Sequence, residues 1–135
     1  MGATAHLRSL LETAKLGLTP LPRSPKAIAP RRLLIVGYAA VGDALFFLPL
    51  LESLKRAFPE MKVTWLADAS PVTKELLPAT GLVDDFWLFN WEGPEAAQRA
   101  EINQKIINAK FDAVVLTLSA PAHYFARGLS SIPLR

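Results

Sequence analysis

Cysteine is absent from this 135-residue chain, which excludes disulfides and thiolate metal ligands. Histidine occurs only twice, at His6 and His123, separated by most of the sequence, so a metal site held by the protein is not expected. Long apolar runs are missing as well. The longest nearly unbroken one, Ala44 to Leu51, contains Pro49 and falls far short of the ~20 residues that cross a bilayer. The N-terminus lacks the apolar stretch and small-residue cleavage site of a secretory signal. These absences set a cytoplasmic location as the expectation.

Acidic residues are scarce in the first 32 positions, where Arg8, Lys15, Arg23, Lys26, Arg31 and Arg32 face Glu12 alone. The remaining 103 residues carry nine basic and eleven acidic side chains, so a basic leader precedes a mildly acidic domain. Such a leader suits peripheral contact with the inner face of a membrane, but its charge is thin. No nucleic-acid partner is expected, and a solvated tail is the simpler reading. What the chain does have is apolar content: 51% hydrophobic residues suffice for one globular core.

Leu7, Leu10, Leu11, Ala14 and Leu18 recur at helical spacing and predict a short amphipathic helix. Pro20, Pro22, Pro25 and Pro30 then fix φ and remove amide donors, which marks a linker. The leader is therefore assigned to residues 1–30 and the domain to 31–135. Leu33-Leu34-Ile35-Val36 is apolar at every position, as a strand covered on both faces requires. Residues 43–58 read as a helix with Phe47, Leu50, Leu51, Leu54 and Phe58 on one face. Pro49 should kink this helix or sit near its first turns. Residues 63–67 form a second strand, and Ser70-Pro71 caps a helix that Pro78 is expected to end. A third strand spans 86–89. A helix opening at Gly93-Pro94-Glu95 carries Ile102, Ile106 and Ala109 on one face, residues 113–118 make a fourth strand, and another helix starts at Pro121.

This alternation predicts an α/β, Rossmann-like open parallel sheet with helices on both faces and ligands beyond the C-terminal ends of the strands. The loop from Gly37 to Asp43 is the first place to look. As a P-loop it has the glycine spacing, but Asp43 and Ala44 replace the lysine and hydroxyl that phosphates need. As a dinucleotide fingerprint it holds only Gly37 and Gly42, with Asp68 where a ribose-binding acid would stand.

A third reading joins the strand, the Gly42-Asp43 pair, and the helix residues Leu48-Pro49-Leu50-Leu51, Leu54-Lys55 and Ala57-Phe58-Pro59. This opening resembles that of glycosyltransferase family 9, the lipopolysaccharide heptosyltransferases. The likeness continues through Val63 to Leu66, through Gly81-Leu82-Val83-Asp84 and through Phe111-Asp112-Ala113-Val114-Val115. The resemblance implies the N-terminal, acceptor-side half of a GT-B fold, with the nucleotide-sugar half absent after Arg135. On that expectation the chain alone does not complete catalysis, and its open end makes it prone to self-association.

The resemblance makes Asp43 the general base of an inverting transfer. The rival role for this carboxylate is simple helix capping, since acidic residues are common in first turns. Gly42 is expected to allow a tight turn and a close approach of substrate. Tyr38, Ala39, Ala40, Gly42, Ser119 and His123 are the candidate substrate contacts. The donor is a nucleotide-diphosphate sugar held by the other domain, the acceptor a lipopolysaccharide-like or other glycan, and no further cofactor is implied. Family members usually carry a basic residue after strand one and an Asp-x-Gln-Gly sequence after strand four. Here Gly37 and Thr117-Leu118-Ser119-Ala120 stand instead, which leaves the acceptor open. The alternative function is a stand-alone Rossmann-like module that binds a nucleotide or a protein. His123 and Arg127 read more simply as solvated, Asp84-Asp85 as a solvated strand start, and Trp65 and Trp87 as core, with Trp91 open.

Overall fold

Leu33, Leu34, Ile35 and Val36 are all buried, and they form the central strand β1 (Arg32–Val36). The computed structural model describes residues 29–37, 41–68, 70–90, 96–117 and 122–133. The amphipathic helix expected over Leu7 to Leu18 and most of the proline linker lie outside them. After β1 come α1 (Val41–Ala57), β2 (Lys62–Ala67), a π-helical turn (Val72–Leu76) running into α2 (Leu77–Thr80), and β3 (Asp85–Leu88). Then follow α3 (Ala96–Ala109), β4 (Ala113–Leu116), a 3-10 turn (Ala122–Phe125) and α4 (Ala126–Leu129).

The four strands are parallel, in the order β3-β2-β1-β4. Leu33 pairs with Val63 on one side and Ala113 on the other, and Val36 with Leu66 and Leu116. Because side chains alternate across a strand, β1 feeds two cores. Leu33 and Ile35 pack with Val63, Trp65, Ala44 and Leu51 beneath α1, while Leu34 and Val36 pack with Ile102, Ile106, Phe125 and Leu129 beneath α3 and α4. Helices thus cover both faces, and the α/β architecture expected from the alternating pattern is the one found. None of the helices among the described residues is long and apolar enough to cross a membrane.

Two local expectations need correction. Leu50 does not join the buried face of α1; it is exposed, and Leu48 packs against the core beside Ala44, Phe47, Leu51 and Leu54. Pro78 does not end its helix. The N–H of Leu77 reaches back five residues to the carbonyl of Val72, and this wider turn makes room for a ring that an α-helical register would drive into the carbonyl four residues earlier. The helix stops instead at Gly81, whose φ of 68° is the left-handed conformation that glycine adopts without a Cβ penalty. Pro49 lies in the middle of α1, and the Ser53 hydroxyl donates to its carbonyl at 2.8 Å.

Candidate functional site at the C-terminal edge of the sheet

The chain builds outward from β1 to β2 to β3 and then crosses to the other side of β1 to make β4. The junction of β1 and β4 is therefore the switch point of the sheet, where an open α/β fold leaves a crevice. Backbone bonds hold the strand ends there: Gly37 N–H donates to Leu66 O at 3.2 Å and Thr117 N–H to Val36 O at 3.0 Å. The buried indole of Trp65 adds a third tie, donating from Nε1 to the Gly37 carbonyl at 3.2 Å. Core packing was the expectation for Trp65. Its edge-to-face contact with Phe47 of α1 bears that out, and its role in pinning the start of the loop was not foreseen.

Gly37 is glycine for lack of room. A Cβ there would lie 2.5 Å from Thr117 Cγ2 and nearer still to Thr117 Oγ1, so the threonine fills the notch. Thr117 is buried, and its Oγ1 has no hydrogen-bond partner among the described residues.

Gly42 and Asp43 are the second and third residues of α1. Gly42 is not in a left-handed conformation, and a Cβ there would meet nothing within 4 Å. The tight turn expected of it is thus not what it provides; it leaves open space beside Asp43. The carboxylate of Asp43 is half-buried, and among the described residues it takes part in no hydrogen bond or ion pair. It stands in the first turn of a 17-residue helix, where the backbone dipole favours a negative charge.

The other candidates divide. Tyr38, Ala39, Ala40, Ser119 and Trp91 lie outside the described residues. His123 is half-buried in the 3-10 turn, its ring centroid 4.0 Å from that of Tyr124, while Arg127 is exposed. Asp68 follows β2 at the same edge of the sheet. Trp87 is core, as expected, and its indole N–H donates to Asp85 at 2.8 Å.

Asp84 is more than a solvated strand start. It accepts from Lys55 at 2.6 Å, from Lys62 at 3.2 Å and from the Val63 N–H at 2.8 Å. Burial alone would raise its carboxyl, but these donors outweigh it and hold Asp84 below the usual carboxylate range. Asp112 likewise accepts from the N–H groups of Arg31 and Arg32, at 2.7 and 2.9 Å. Both sit at the N-terminal edge of the sheet, away from the switch point. Gly81, Asp84, Lys55 and Asp112, all part of the resemblance, therefore have structural work that explains them. Among the described residues, Asp43 has no hydrogen bond or ion pair and Gly42 no close packing contact that would do the same for them.

No protein-family model matches the chain, and no curated protein sequence does. Among solved structures, the chain is similar to the glycosyl transferase family 9 protein from Veillonella parvula DSM 2008, with a TM-score of 0.61 and 20% sequence identity over 79% of this chain. At that identity the likeness concerns the fold. The match covers 31% of the Veillonella chain, so the present sequence spans about a third of that protein's length.

Proposed function

We propose that this chain is the acceptor-side domain of an inverting glycosyltransferase, with Asp43 as its general base. The observation that carries the reading is the state of Asp43. It lies where a doubly wound fold places its ligands, beside a glycine that leaves space, with a carboxylate that takes part in no hydrogen bond or ion pair among the described residues. The similar fold of a glycosyl transferase supports the same reading.

In the proposed reaction an acceptor hydroxyl attacks the anomeric carbon of a nucleotide-diphosphate sugar. The new C–O bond forms as the bond to the diphosphate breaks, the diphosphate leaves with the electron pair, and Asp43 takes the hydroxyl proton. Attack opposite the leaving group inverts the anomeric carbon. The donor is held by a second domain outside this chain, and the acceptor is a glycan of the lipopolysaccharide type, with heptose a candidate for the sugar transferred. A cytoplasmic site of action, at the inner face of the membrane, goes with this role. Self-association of the chain is proposed as well, through the exposed side chains of Val41, Leu45 and Phe46 on α1, the last 85% exposed.

Calorimetric titration with lipopolysaccharide core oligosaccharides, nucleotide-diphosphate sugars, ATP and NAD tests the reading. Binding of an oligosaccharide without tight binding of NAD is expected. Tight NAD binding with no glycan binding would replace this reading with that of a stand-alone nucleotide module.

A further inference from the structure

We propose that Thr117 is a ligand-binding residue whose hydroxyl takes a hydrogen bond from the acceptor sugar at the β1–β4 switch point. This rests on the glycosyltransferase reading and names a contact for it. Thr117 is 7% exposed, and its Oγ1 is sealed from solvent without a partner among the described residues. Nearly all buried hydroxyls in folded proteins are satisfied, because leaving one unpaired costs stability. A buried hydroxyl that the fold leaves unpaired keeps its hydrogen bond available to a ligand.

The place fits that use. Thr117 directly follows β4 and bonds through its backbone to β1, at the junction where doubly wound sheets take ligands. By strand alternation it projects on the same face of the sheet as Ala113 and Val115, which pack in the core beneath α1, the helix that carries Asp43.

The Gly37 notch gives the side chain freedom to serve. Both branches of Thr117, Oγ1 and Cγ2, crowd the position that a Gly37 Cβ would occupy. In the structure the hydroxyl faces the Gly37 notch, so binding requires a change of χ1 that leaves the methyl group in the notch and carries the hydroxyl out of it to the ligand. There it meets the hydroxyl-rich surface of a sugar, with which it can both donate and accept.

The test uses the full chain as wild type, Thr117→Val and Thr117→Ser. Affinity for deacylated lipopolysaccharide core oligosaccharides is measured by calorimetry, and the thermal midpoint is measured without ligand. Valine keeps the shape and removes the hydroxyl. Thr117→Val is expected to weaken binding about tenfold while raising the midpoint of the free protein, and Thr117→Ser to bind within about twofold of wild type. If wild type binds and Thr117→Val binds equally well, the proposal is overturned and the glycosyltransferase reading stands. A lower midpoint for Thr117→Val also overturns it, because the hydroxyl would then be satisfied within the fold. If wild type binds no oligosaccharide, both readings fall together.

Discussion

Three aspartates occupy comparable positions at the rims of the sheet and are treated differently. Asp112 ties two backbone amides of the chain entering β1, and Asp84 collects two lysines and an amide beside β2. Asp43, at the opposite rim, is engaged by nothing among the described residues. The sequence alone could not separate them, since all three precede or open a regular element and all suit a cap or a turn. Their partners are distant in the chain. The Asp84 network is testable by pH. Its folded carboxyl lies below the ordinary value, so the stabilisation it supplies is complete above the unfolded value, about 3.9, and is lost as pH falls through the lower folded one. Asp84→Asn is therefore expected to lower the thermal midpoint at pH 7, with the gap to wild type closing below about pH 4. A gap that is constant down to pH 2 would mean that the carboxylate charge contributes nothing.

Among the elements, periodicity located β1, α1, β2 and α3, because their apolar side chains repeat at the spacing of the faces they bury. It could not set where the edge of the buried stripe of α1 would fall. That depends on how much of the helix the sheet covers, and Leu50 falls outside the covered strip. Nor could it foresee the turn that accommodates Pro78, which is a backbone response to the proline rather than a residue pattern. Asn103 was missed for another reason: a polar side chain on a helix gives no periodic signal. Its Nδ2 donates to Tyr124 O at 2.9 Å, and its Oδ1 accepts from Gly128 N–H at 2.6 Å, joining α3 to the segment after β4. Asn103→Ala would leave both backbone groups unpaired. It is expected to cost on the order of 2 kcal/mol in denaturant unfolding, and a loss below about 0.5 kcal/mol would show that the clamp is dispensable.

At the scale of the whole molecule, the order of strands and helices was readable because alternating apolar runs leave few topologies, and right-handed crossovers choose among them. The position of the candidate site followed from the topology, since the loop after a parallel strand leaves at the C-terminal edge of the sheet. The close fit of Thr117 to Gly37 did not, because only the packing of the two strand ends reveals it. The central claim is that Asp43 is a base rather than a cap. The most direct measurement is sugar transfer by the chain joined to a nucleotide-sugar-binding domain, comparing wild type with Asp43→Asn and recording thermal midpoints for both. Asparagine preserves size and capping ability but cannot take the proton, so turnover should fall ~10²-fold or more with the midpoint almost unchanged. An Asp43→Asn variant that transfers sugar at the wild-type rate would contradict the account.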